Sequence, residues 1–306
     1  MTIVDRNGLT ETVSSSDRLA GYDKVDFLTN HPYSEVVRVY KRDALGNVHS
    51  VATTYHENGQ PHQMLEITNG RACGRYLQWF ENGQLALSGT VLEGNAELTD
   101  AAAQSWKFDG ECLSWNKEGN LVARIGYSKG YLDGKSTYFH CNGTIWKEVC
   151  FVAGLPEGEA VTRYQNGELL ESVFFSQGMR HGTLTRYWEC GKLAAREEYC
   201  LGKLQSGEYF HPNQATACSV VQGFGWKAVC AKDFIVELRQ VQDGQQEGEV
   251  KVFTPGGGLI QVYHVKNGLK NGEDIEYYAE APGRIPKIKV LWVDGTIQGT
   301  VATWYP

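Results

Sequence analysis

Glycine recurs in this chain on a fixed clock, and that clock restricts the fold more than any other feature. Pairs spaced G-x-x-x-G stand at Gly70/Gly74, Gly130/Gly134, Gly154/Gly158, Gly178/Gly182, Gly244/Gly248, Gly268/Gly272 and Gly295/Gly299, with partial pairs at Gly110 and Gly202/Gly207. Successive second glycines lie 36, 24, 24, 24, 25, 41, 24 and 27 residues apart. A 24-residue period met this often marks an array of structural repeats.

Other positions keep the same time. Five residues after the second glycine come Trp79, Trp115, Phe139, Arg163, Tyr187, Phe253, Tyr277 and Trp304. Nine after it come Gly83, Gly119, Gly143, Gly167, Gly191 and Gly257, three of them preceded by asparagine (Asn82, Asn142, Asn166). Leu85, Leu121, Ile145, Leu169, Leu193 and Leu259 follow two residues later, and Val91, Tyr127, Phe151, Phe175, Tyr199 and Val265 six beyond those. Tyr55-His56-Glu57-Asn58-Gly59 is an earlier partial unit. Asn-Gly favours a two-residue type I′ hairpin turn, because both central residues need positive φ. The flanking stretches are rich in aromatic and branched residues, as strands are. Each unit therefore reads as a β-hairpin, with G-x-x-x-G as the return turn. A lone hairpin is marginal in water, so the units must stack. The expected fold is all-β: an elongated antiparallel β-meander of about nine 24-residue hairpins in a single curled sheet. Residues 1–50 lack the repeat and are expected to form an N-terminal cap, and 51–306 the array.

The signature Y/F-x-x-N-G-x-L…F-x-x-G-x-x-x-G is clear in Tyr138-Phe139-His140-Cys141-Asn142-Gly143-Thr144-Ile145 and in Tyr187-Trp188-Glu189-Cys190-Gly191-Lys192-Leu193. It resembles the MORN-repeat variant of bacterial proteins, over roughly residues 50–306. The resemblance implies kinship with the YwqK-family antitoxins, proposed immunity partners of secreted toxins. It implies no catalytic residues, because that family shares none. Eukaryotic MORN proteins are scaffolds or membrane-associated modules instead.

Two steps exceed the period. Extra residues fall near 92–106, where Ala101–Ala103 after Asp100 as N-cap reads as a helical turn, and near 208–240, which carries Phe224 and Trp226 between glycines and then alternating Phe234–Leu238. Insertions in arrays map to loops, often on a binding face, although a degenerate repeat with a longer loop accounts for them too. At the far end, Pro306 is expected to guard an exposed edge strand.

Strand parity assigns faces. If Asn-Gly is a two-residue turn, the aromatic at step five lies across from step twelve (Ala86, Val122, Trp146, Leu170, Ala194, Ile260). The step-six row runs Phe80, Asn116, His140, Tyr164, Trp188, Thr254, Tyr278 and Tyr305. Its mixture of aromatic, amide and imidazole groups makes it the candidate for exposure to a protein partner, against the alternative of an aromatic ladder that packs repeat on repeat. The candidate partner-binding residues are Phe80, Tyr164, Trp188, Phe224, Trp226 and Tyr278.

Charge and motif content narrow the function. Lys and Arg number 29 against 36 Asp and Glu, and the net charge of −7 disfavours nucleic acid and anionic membranes as partners. The start of the chain has no basic segment followed by an apolar one, so it carries no visible export signal and reads as cytoplasmic. The eight cysteines contain no CxxC and read as reduced thiols. No H-E-x-x-H, G-x-S-x-G or P-loop motif is present. His56 and His62 flank a turn and can meet across it, but lack a third ligand, so no metal site and no cofactor are expected. Cys141 and Cys190, at turns, lack a repeating histidine partner for nucleophilic chemistry. Glu157, Glu159, Glu247, Glu249 and Glu273 cluster at the G-x-x-x-G turns and read as a solvated acidic rim or a surface for a basic partner. The expected function is a non-catalytic binding protein, specifically an immunity protein neutralising a cognate toxin. A general scaffold and a lipid-associated module are the alternatives.

Overall fold

The computed structural model describes residues 1–279 and 284–305. The expected guard Pro306 lies outside them. Among the described residues are 28 strands and two short helices, and the strands pair antiparallel, mostly with their chain neighbours. The chain is thus an all-β meander of hairpins. It divides into two compact units, Met1–Leu155 and Pro156–Pro306.

The two turn types are the reverse of the expected pair. Type I′ geometry, with positive φ at two successive residues, belongs to the first glycine of G-x-x-x-G and the residue before it: Lys129-Gly130 (50° and 88°), Ala153-Gly154 (50° and 86°) and Leu201-Gly202 (46° and 83°). Strand pairs Ser128↔Tyr131 and Cys200↔Lys203 close these two-residue loops. At Asn82-Gly83 only the glycine has positive φ. There Phe80 N–H donates to Gln84 O and Gly83 N–H to Phe80 O, both at 2.9 Å, forming a three-residue loop of a type I turn plus an αL glycine. The extra residue bulges the strand, so Trp79 pairs with Leu85, and Tyr187 with Leu193. Step five therefore lies across from step eleven, not step twelve.

The acidic residues before the second glycines serve the next turn. Lys129 N–H donates to Asp109 Oδ1 at 2.8 Å, Ala153 N–H to Asp133 Oδ2 at 3.3 Å, Gln177 N–H to Glu157 Oε2 at 2.7 Å and Asn267 N–H to Glu247 Oε2 at 2.9 Å. Each acid thus holds the left-handed residue of the turn that follows. The turn glycines bond backward too, Gly154 N–H to Leu132 O and Gly202 N–H to Arg180 O, both at 2.8 Å. Glu157 and Glu247 are inter-repeat caps and not merely a rim.

In the first unit, residues 1–50 extend the meander. Strand Thr2–Asp5 pairs with the short exposed strand Thr10–Thr12 and with Ser34–Arg42. The stretch near 92–106 folds over the sheet. Ala96 and Trp106 close a core with Ala52, Leu65, Ile67, Ala72, Tyr76 and Val91, the Trp106 ring 4.7 Å from that of Tyr76. The helical turn expected at Ala101–Ala103 is present but starts one residue earlier, as Asp100–Ala103, so the cap is Thr99 and not Asp100; Thr99 accepts from Ala102 N–H at 3.2 Å.

In the second unit, residues 208–240 are strands: Thr216–Val221, Phe224–Cys230 and Ile235–Gln242. Two hairpin steps of 21 residues, from Gly202 to Gly223 to Gly244, replace the regular ones. The first three-residue loop survives there with Gln214 in the glycine's place, at φ 69°. Around these steps the sheet turns on itself. Arg186 Nη1 reaches Cys230 O at 3.3 Å although their strands stand four places apart, about 19 Å in a flat sheet at ~4.8 Å per strand. The face inside the curl holds the core, along the register Ala160, Val173, Leu184, Glu197, Gly207, Val220. One member of that buried row is a carboxylate.

Candidate functional site

The curl of the second unit gathers charged side chains that sequence distance keeps apart. Glu197, 3% exposed, accepts from the hydroxyls of Tyr199 and Tyr209, both at 2.7 Å, and from Lys227 Nζ at 2.9 Å. Burial opposes ionisation of Glu197, and the Lys227 charge with these hydrogen bonds overcomes it, holding the carboxyl below its ordinary value. Both tyrosines are raised, first by burial and then by the Glu197 charge. Two further pairs flank this centre: Arg186 to Glu171 at 3.0 Å and Arg239 to Glu237 at 2.7 Å. The guanidinium of Arg180 lies 5.5 Å from the Tyr199 ring centroid. Nothing in the repeat signature announces this cluster. Its one sequence signal is Glu197 on the inward parity of an otherwise apolar row.

The opposite face carries the residues around Phe224. Phe224 is 54% exposed and pairs with Val221, 65% exposed, across the Gln222-Gly223 turn. Met179, beside the Gln177-Gly178 turn, and Leu201, within the Leu201-Gly202 turn, are exposed as well. These four form an apolar fringe along the type I′ turns of the unit. Trp226, on the same strand face as Phe224, is half-buried beneath Lys251 Nζ, 4.5 Å from its ring centroid.

The step-six row does not form an exposed surface. Trp188 is 1% exposed and its indole N–H finds no acceptor. Tyr164 donates to Tyr187 O at 2.9 Å and Tyr278 to Trp304 O at 2.7 Å, each reaching the next hairpin's step-five carbonyl. Phe80 is half-buried by a shallow groove that His56, His62 and Lys117 also line. Tyr164 and Tyr278 thus tie repeat to repeat and Trp188 is interior, while Tyr305 at the end of the row is 90% exposed. Of the six expected residues, Phe224 is the one standing clear of the fold.

His56 and His62 meet as expected, ring centroids 4.3 Å apart, with His56 Nε2 2.9 Å from Trp79 O. Among the described residues no group of three or more His, Cys, Asp or Glu is placed to hold a metal ion. Cys141 and Cys190 are exposed at loops. The thiols of Cys218 and Cys230 are pushed up by burial to about 12 and about 11, away from nucleophilic use. No described helix is long and apolar enough to cross a membrane.

No protein-family model matches this chain, and no curated protein matches it. Solved structures are similar only at a coarse level. A porin-like protein from Bacteroides uniformis is 9% identical with a TM-score of 0.20, covering 80% of this chain and 95% of its own. The Tc holotoxin pore of Photorhabdus luminescens is 12% identical with a TM-score of 0.19, over 99% of this chain and 18% of its own. The TcdB2-TccC3 structure is 10% identical with a TM-score of 0.15, over 83% of this chain and 19% of its own.

Proposed function

We propose that this chain is a non-catalytic binding protein acting in the cytoplasm, and specifically an immunity protein that neutralises a cognate secreted toxin by direct protein–protein contact. The observation that carries the binding role is the exposure of Met179, Leu201, Val221 and Phe224 along the turns of one sheet, since large apolar side chains left in solvent together mark an interaction site. Phe224 is the natural anchor, a large rigid side chain with few rotamers to lose. The repeat signature's resemblance to bacterial immunity proteins supports a toxin as the partner. Inhibition would be steric, the sheet covering the toxin's working surface.

Capture of the tagged protein from its native cells tests this. The expected result is one stoichiometric partner that is toxic alone and harmless with this chain. Several housekeeping partners would favour a scaffold, and pelleting with anionic vesicles at low salt would favour a membrane-associated module.

A further inference from the structure

We propose that the inner face of the second unit holds a binding site for an oxyanion, a carboxylate or phosphate group, gripped between Arg180 and Arg239 over Tyr199. The two arginines, with Lys227 and Gln246, line a cleft of about 290 Å³ whose floor includes Leu204 and Val241. The acids of this face are each committed to another base: Glu171 to Arg186, Glu197 to Lys227 and Glu237 to Arg239. Arg180 has none of them, and its one polar contact is a long 3.4 Å approach to the Tyr199 hydroxyl. That hydroxyl is already engaged, donating to Glu197 and accepting from Lys227 at 2.8 Å. Lys227 spends its donors on Glu197 and Tyr199. Arg239 uses Nε on Glu237 and makes a 3.4 Å contact from Nη1 to Gln246, leaving the remainder of its fork for a ligand.

Arg180 and Lys227 lie over the ring of Tyr199, at 5.5 and 5.6 Å, and Arg239 stands beside Lys227 as its cross-strand partner in the lining of the same cleft. Arg180 is exposed, so the surplus positive charge stands at the mouth of a partly apolar cleft, where a guanidinium can pair bidentately with an oxyanion. The carboxylate can come from a small organic acid or from an acidic segment of a protein. This site faces away from Phe224, so it stands independently of the binding surface proposed above.

Isothermal titration of the full chain with inorganic phosphate, succinate and a tetraglutamate peptide tests the site. The expected result is saturable binding of at least one probe, weakened about tenfold or more by Arg180→Gln and by Arg239→Gln, and unchanged by Lys266→Gln on the exposed surface. Tightest binding of succinate or phosphate identifies a small ligand, and of tetraglutamate a protein-borne one. Melting curves matched to the parent establish that the variants are folded, and Arg180→Lys, which keeps the charge, is expected to recover part of the affinity. Absence of saturable binding of all three probes at millimolar concentration, or binding that survives both arginine substitutions, overturns the proposal.

Discussion

Lys227 Nζ lies 2.9 Å from Glu197 Oε1, although two strands separate Phe224–Cys230 from Leu193–Cys200. The pair is a tie across the curl. Lys227→Met leaves a buried carboxylate with only tyrosine donors, and unfolding stability is expected to fall by about 3 kcal/mol. Urea denaturation of the full chain measures it, and a loss under about 1 kcal/mol would mean that the curl does not depend on this tie.

The same carboxylate sets an acid limit. Its folded pKa lies below the ordinary 4.5, so the unfolded chain binds the proton more readily. The stability it contributes is present above about pH 4.5 and is lost as pH falls through the lower folded value. Melting temperatures followed into acid are expected to decline steeply for the parent and more gently for Glu197→Gln.

A second pH window belongs to the first unit. Burial, and then the neighbouring His56, hold His62 below its ordinary 6.5, with Asp100 and Glu81 opposing weakly. Stability from neutral His62 is full above pH 6.5 and is lost as pH falls toward the depressed value. The expected drop in melting temperature between about pH 7.5 and 5.5 shrinks in His62→Gln. Equal drops in both proteins would exclude His62 as its source.

Turn chemistry yields opposite signs at adjacent positions. Ala153 sits at φ 50° and Gly154 at 86°. Asparagine tolerates the left-handed region better than alanine, so Ala153→Asn is expected to stabilise by about 0.5 kcal/mol, whereas Gly154→Ala costs about 1–2 kcal/mol. Denaturation midpoints of the two variants should move in opposite directions.

Binding and folding separate cleanly between two aromatic residues. Phe224→Ser with Val221→Ser is expected to abolish partner capture while shifting stability by less than about 1 kcal/mol, since both are exposed. Trp188→Ala is expected to cost about 3–5 kcal/mol as a cavity in the interior. Trp188→Phe, which removes the unpartnered indole N–H, should be far milder.

The hairpin array was legible because turns and strand faces are local properties repeated many times. Assigning each turn was harder. Glycine at positive φ serves both Asn82-Gly83 and Lys129-Gly130, and only the hydrogen bond from Phe80 to Gln84 tells a three-residue loop from a two-residue one. That single extra residue moved Trp79 from opposite Ala86 to opposite Leu85, and with it the face of the whole strand. Residues 208–240 escaped because their turns drop the glycine at Gln214 and shorten the period to 21. The charged cleft was invisible for a different reason. Arg180, Glu197, Lys227 and Arg239 share no motif; a hairpin pairs Lys227 with Arg239, and only the curl brings Lys227 to Glu197.

The acids that hold the left-handed turn residues give the chain a direction. Asp109, Asp133, Glu157 and Glu247 each lie 20 residues before the amide they receive. A chain synthesised from its N-terminus therefore has the acceptor waiting when each of these turns emerges, and the sheet can grow by accretion, one hairpin at a time, without a completed C-terminal half. Cutting out a single repeat would break that succession at one seam only, where the next turn inherits its acceptor from a repeat further back.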